Sequence, residues 1–244
     1  MKESIYSIPI IDALNENSEC CFCSIHSKED QDAVKQMMGA AYMEDDIRME
    51  VNSIGFCSHH FRQTYNVQNR LGLSLMVHTH LQQINKDLSN LVTDMPPKSK
   101  GKISFLGKVQ EHPYIKLTEY LNNIDSSCYI CNKVENTMKR YIDTFFFMWK
   151  REKELIDKVK NCKGFCMHHF SELLFESQKA LSGKEFKEFT DVIVGIQMEN
   201  LKRIEAEIEW FVKKFDYRFH DEPYGNSKDA LPRSIFKISS TNVE

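Results

Sequence analysis

Gly55-Phe56-Cys57-Ser58-His59-His60-Phe61 and Gly164-Phe165-Cys166-Met167-His168-His169-Phe170 differ only at their fourth position. Each follows a CxxC pair: Cys20-Cys21-Phe22-Cys23 in the first half, Cys128-Tyr129-Ile130-Cys131 in the second. Nearly equal intervals separate Cys20 from Cys57 and Cys128 from Cys166. Chance produces one CxxC. Two of them, each followed at a matched distance by almost the same heptapeptide, read as a tandem duplication, and a duplication sets the fold.

The residue types in these motifs are those of a structural zinc site, which takes four tetrahedral ligands such as Cys₃His. A CxxC forms a tight knuckle that aims both sulfurs inward. If each glycine breaks the chain and a helix starts just after it, Cys57 with His60 and Cys166 with His169 stand at i and i+3 on one face. The positive helix end then favours the thiolate. The expectation is one Zn²⁺ per copy, each held within its own copy: Cys20, Cys23, Cys57 and His60 in one, Cys128, Cys131, Cys166 and His169 in the other. His59 and His168 point roughly 200° from the cysteine on such a helix and read as surface or supporting residues. Cys21 and Cys162 have no counterpart in the other copy and read as ordinary thiols. Cys21, Cys162, His59 and His168 are the alternatives that could replace a ligand.

Other chemistries fit less well. The pairs are followed by Ser24 and Asn132, so CxxCH haem attachment is absent, and no third cysteine follows closely as in ferredoxins. An iron–sulfur cluster on Cys₃His remains the alternative cofactor, because spacing alone does not fix the metal. A thioredoxin-type redox pair belongs with a βαβ pattern that the chain lacks. No HExxH, GxSxG or GxxxxGK[ST] occurs, and His220-Asp221-Glu222 lacks the following CxxC of zinc deaminases. With four protein ligands per metal no position is open for water or substrate, which argues against an enzyme.

Outward from the motifs, helical periodicity dominates. Leu81, Ile84, Leu88, Leu91 and Val92 mark one face, and Val134, Met138, Tyr141, Ile142, Phe145 and Trp149 another, with Leu155 and Val159 beyond. Ser182 and Glu185 form a capping box ahead of a stripe from Phe189 to Phe215. Unbroken from Lys184 to Phe215, that helix is roughly 48 Å long, with Gly195 a place for a kink. Phe145-Phe146-Phe147 reads as core packing across two faces, and His78 and His80 as packing or surface residues. Ile103–Val109 is the one faint strand candidate, so the fold class is all-α: two tandem helical repeats, a long C-terminal helix and an ordered tail. The division expected is a first repeat over 1–94, a Pro- and Lys-rich linker over 95–112, a second repeat with the long helix over 113–218, and a tail over 219–244. Within that tail Tyr224 and Leu231 are expected to be partly buried, and Arg218 and Arg233 to meet acidic groups, since aromatics and arginines are typical anchors.

Composition narrows the rest. A chain 41% hydrophobic and 27% charged is neither disordered nor low in complexity. A net charge of −3 implies no general phosphate-binding surface and argues against nucleic acid as a partner. No apolar run is long enough to span a membrane, and the first residues lack a signal peptide's apolar core. These features point to a cytoplasmic protein, where 8 cysteines suggest metal ligation rather than disulfides.

Taken together, the chain resembles an uncharacterised family of bacterial cytosolic proteins, classified only as a domain of unknown function. The resemblance rests on the paired CxxC and GFCxxHF elements, on Ile5-Tyr6-Ser7-Ile8-Pro9 and on Asn69-Arg70-Leu71-Gly72-Leu73. Near the end it rests on Lys214-Phe215-Asp216-Tyr217-Arg218 and on Gly225 to Arg233. One departure is Cys21, where a proline is usual, which leaves three thiols for two places at the first pair. The family implies no activity. The function expected is that of a zinc-stabilised interaction or scaffold module with a protein partner, and the alternative is a redox or metal sensor using the Cys-rich sites.

Overall fold

The computed structural model describes residues 5–93 and 114–243. The linker over 95–112 and the strand candidate Ile103–Val109 lie outside them. Among the described residues the chain is helical, without a strand. The helices are α1 (Ser7–Asn15), α2 (Cys21–Met38), α3 (Asp45–Ile54), α4 (Ser58–Asn66), α5 (Arg70–Thr93), α6 (Ile115–Ser126), α7 (Tyr129–Trp149), α8 (Lys153–Lys160), α9 (Met167–Ala180), α10 (Gly183–Lys213) and α11 (Ala230–Ser239).

Contacts divide the chain into two compact units, Met1–Glu29 with Asn136–Glu244, and Asp30–Glu135. The division falls inside α2 and inside α7. The first unit is built on aromatic packing. Phe22, Phe145, Phe165 and Phe189 are almost wholly buried, and Phe189 meets Trp149 edge-on at 4.9 Å and Phe146 at 5.2 Å. Rings of this size bury the most apolar area per residue and add a directional term in the edge-to-face geometry. Phe145 and Phe146 are core as expected, whereas Phe147 is 53% exposed and lies under the Arg151 guanidinium. In the second unit α3 packs on α5, with Val51, Phe56, Leu73 and Met76 buried.

Helix α10 runs unbroken through Gly195, where a Cβ would meet nothing within 4 Å. Ser182 is its N-cap, but its side chain makes no capping hydrogen bond, so the helix starts where expected without the expected capping box. The tail is ordered and returns as α11 against α9 and α10. Tyr224 and Leu231 are not its anchors, being 43% and 48% exposed. The buried residues are Ser227, Ala230 and Lys237. Arg233 reaches Glu207 and Glu19 as expected of an anchoring arginine, at 2.5 and 3.4 Å, while Arg218 pairs only locally with Asp216.

Candidate metal centres

Gly55 and Gly164 sit at φ 72° and 77°, in the left-handed region that a side chain disfavours. Each reverses the chain so that the next helix starts three residues on, with Cys57 the N-cap of α4 and Cys166 the N-cap of α9. His60 and His169 therefore occupy the third helical position. The CxxC pairs turn out to be helix starts as well, not free-standing knuckles. Cys20 and Cys128 precede α2 and α7, and their carbonyls accept from Ser24 and Asn132 in the first turn. All eight residues thus lie at helix N-termini in pairs three apart, where unsatisfied N–H groups and the helix dipole favour a thiolate. Two such bonds are seen directly: the His169 N–H donates to the Cys166 sulfur at 3.4 Å and the Cys131 N–H to the Cys128 sulfur at 3.5 Å.

The expected residues come together, but not in the expected sets. One cluster is Cys20, Cys23, Cys166 and His169, and the other Cys57, His60, Cys128 and Cys131. The CxxC of each motif set is completed by the CxxH of the other, which corrects the expectation that each copy closes its own site. Each cluster lies within a single compact unit, the first in Met1–Glu29 with Asn136–Glu244 and the second in Asp30–Glu135. Cys21 and Cys162 belong to neither, and burial pushes both thiols above their ordinary pKa. None of the eight cysteines is in a disulfide.

The donors of each cluster lie close enough together to hold a metal ion. In the first centre the Nδ1 of His169 lies 3.5, 3.3 and 3.2 Å from the sulfurs of Cys20, Cys23 and Cys166. In the second the Nδ1 of His60 lies 3.3, 3.2 and 3.3 Å from those of Cys57, Cys128 and Cys131. Sulfur–sulfur separations are 3.5 Å for Cys23–Cys166 and 3.8 Å for Cys57–Cys131. A tetrahedral Zn²⁺ with ordinary bond lengths needs edges of about 3.8 Å between sulfurs and about 3.6 Å from sulfur to nitrogen. The donors are therefore within a few tenths of an ångström of the required positions.

The protein groups alone distribute charge unevenly. Burial lowers the His60 pKa, but hydrogen bonds to the Cys128 sulfur and the Asp30 carboxylate outweigh it and raise it to about 9. Burial likewise opposes, and His60 overcomes, a thiolate at Cys128, which falls to about 6. Cys131 is pushed well up, by burial first and then by Cys128 and Cys57. In the first centre burial is again outweighed at His169, which rises to about 10. Cys166 is strongly lowered by hydrogen bonds from Cys20 and Cys23, and Cys23 strongly raised by the same contact. Thiols this close disfavour one another's ionisation. A divalent cation removes that restriction and lets three thiolates coexist.

Each centre is braced by groups that pattern reading did not find. At the second, Ser127 Oγ donates to the Ile54 carbonyl at 2.7 Å and the Tyr129 N–H to the Gly55 carbonyl at 3.0 Å, zipping the CxxC start to the glycine turn. His80 lies beneath that turn, its Nδ1 2.7 Å from the Asn52 carbonyl. Asp30 accepts from the outer nitrogen of His60 at 2.7 Å. At the first, Gln197 makes two 2.9 Å bonds with the Phe165 backbone. The buried Lys237 ammonium donates to the carbonyls of Glu19 at 2.7 Å and Lys163 at 2.5 Å, clamping together the segments that carry Cys20 and Cys166. A lone lysine in an otherwise apolar helical stripe, Ile235-Phe236-Lys237-Ile238, is the only trace of this in the sequence. His59 and His168 stand outside the two Cys₃His clusters, each ring edge-on to the adjacent His60 or His169 at 5.1 Å.

Comparison with known proteins places the chain in one family. A family of unknown function (DUF6062) matches residues 1–244, and the chain belongs to it. No curated protein and no solved structure matches. Among the described residues no helix is long and apolar enough to cross a membrane.

Proposed function

We propose that this DUF6062 protein is a non-enzymatic, zinc-stabilised helical protein whose two Cys₃His centres hold its fold and leave its helical surface free for a protein partner. The observation that carries this reading is the pair of four-donor cages at tetrahedral edge lengths, each supplied wholly by the chain. A site with four protein ligands has no place for substrate or an activated water. The donors converge within 4.8 Å of one another, which favours one ion over an iron–sulfur cluster, whose separate irons each need their own ligand. Binding in small zinc modules is worth about 10–16 kcal/mol at neutral pH, comparable with a whole domain's net stability of about 5–15 kcal/mol. Each ion would tie helix starts that are far apart in sequence. For a partner surface, the end of α10 offers Phe215 and Tyr217, 79% and 88% exposed, beside Phe211.

Freshly purified protein is expected to be colourless with two zinc ions per chain. Absence of metal with all cysteines titrating rapidly as free thiols would overturn the reading, as would brown protein containing iron and sulfide. The pairing has its own test. Cys20→Ser with Cys166→Ser should leave one zinc, and Cys20→Ser with Cys57→Ser none. A second reading, a redox or metal sensor, draws support from the second centre, where Cys131 is exposed. It predicts that mild peroxide releases zinc from that centre well before the other.

A further inference from the structure

We propose that Asp30 is the positioning residue of the second centre: its carboxylate holds the Nε2–H of His60 and thereby presents Nδ1 to the metal. This rests on the reading of that centre as a zinc site and goes beyond its four ligands. The His60 ring has two nitrogens, and only one can face the sulfurs. Nδ1 lies 3.2 to 3.3 Å from all three, and Nε2 lies 2.7 Å from Asp30 Oδ1 on the opposite side. A carboxylate accepts and cannot donate, so it selects the tautomer with the proton on Nε2 and the lone pair on Nδ1.

The carboxylate is itself fixed. Gln63 Nε2 donates to Asp30 Oδ2 at 2.8 Å, and Gln63 stands one position beyond the next residue pair, three after His60 on α4. Both oxygens are thus engaged by α4, and α2 supplies the carboxylate. Asp30 is 13% exposed at its side chain and His60 3%, so water competes weakly for the bond. His59, the other imidazole nearby, is 4.0 Å from Oδ2 and 67% exposed, too far and too wet to compete with His60 for the carboxylate. A carboxylate–histidine–metal arrangement orients the ring and makes it the better ligand, and losing the outer partner typically costs about 10–100-fold in metal affinity.

The two centres are not alike in this respect. Asp30 stands seven residues after Cys23, and the residue seven after Cys131 is Met138, a buried apolar side chain. At the first centre an acidic neighbour comes instead from the ligand's own helix, Glu172, three residues after His169. Removing Asp30 should therefore weaken one zinc site and spare the other.

The experiment is a Zn²⁺ titration of full-length protein against a chromophoric chelator, for the wild type, Asp30→Asn and Asp30→Glu, with long-range ¹H–¹⁵N imidazole spectra of the zinc-loaded wild type. Expected is a loss of about 10–100-fold at one of two sites in Asp30→Asn, the other site unchanged, and recovery of most of the loss in Asp30→Glu. Expected in the wild-type spectrum is His60 with its proton on Nε2 and protected from exchange. Two zincs of unchanged affinity in Asp30→Asn, or equal weakening at both sites, overturns the inference while leaving the zinc reading intact. A wild type that binds no zinc overturns the zinc reading instead. If Asp30→Asn fails to fold, the wild-type spectrum decides: a proton on Nδ1 of His60 overturns the inference.

Discussion

Replacing Lys237 by Met tests whether the C-terminal helix holds the first centre together. Methionine keeps the apolar stem and removes only the ammonium. Lys237 is 1% exposed, and its ammonium donates to the carbonyls of Glu19 and Lys163 and lies 3.3 Å from the Glu19 carboxylate. Two carbonyls would lose their donor, at about 1–3 kcal/mol for each buried polar group left unsatisfied. Glu19 would keep Arg203 at 2.6 Å and Arg233 at 3.4 Å, so its own loss is the smaller part. Against this, burial holds the Lys237 pKa below its ordinary value in spite of the nearby Glu19 carboxylate, and methionine escapes that desolvation. A net loss of about 2–4 kcal/mol follows, or roughly 5–15 °C in melting temperature for a chain of this size. Calorimetry of zinc-loaded protein would measure it, and release of zinc to a chelator would show whether one ion is freed faster. Lys214→Met is the control. That buried lysine donates to the carbonyls of Phe219, His220 and Glu222 within the tail, so it should lower stability without loosening zinc. Unchanged melting and unchanged zinc retention in Lys237→Met would refute the clamp.

Two glycines should respond with opposite signs. Gly55→Ala should cost about 2–3 kcal/mol, because φ 72° with ψ −157° is a glycine conformation and the new Cβ would come within 2.5 Å of His80 Nε2. Gly195→Ala, in open mid-helix, should gain roughly 0.5–1 kcal/mol, and urea midpoints for both variants check the contrast. His169→Ala should remove one zinc and several kcal/mol, since metal affinity is folding free energy. His168→Ala should stay within about 0.5 kcal/mol, as a surface substitution, and equal losses would mean the ligand histidine is misassigned. Zinc binding near neutral pH should release the imidazolium protons, because the metal-free pKa values of His60 and His169 are about 9 and 10. Below those values protons compete with the metal, so affinity rises with pH, and this histidine contribution vanishes above them. The thiols lose protons as well, so imidazole ¹⁵N shifts followed through the zinc titration read the histidines separately, and no histidine proton released at neutral pH would refute the assignment.

Much of this protein was legible from sequence because the informative features are local. Helical periodicity located α5, α7 and α10, since a buried face repeats every 3.6 residues whatever it packs against. All eight candidate ligands were legible for a related reason. Each pair is three residues apart at a helix start, so residue type and spacing alone specify two donors on one side of a turn. How the pairs combine was not encoded at that range. A CxxC and a CxxH make Cys₃His whether they come from the same motif set or from opposite ones, so the composition of a site cannot reveal its partners. Only the folded chain, which brings the start of α2 to the start of α9 and the start of α7 to the start of α4, makes that choice. Asp30 and Lys237 escaped for the same reason. Their partners, His60 and the carbonyls of Glu19 and Lys163, are 30, 218 and 74 residues away, and neither residue belongs to a motif. A carboxylate or an ammonium acquires its role from what the folded chain brings within about 3 Å of it, and that distance exists only in the tertiary structure.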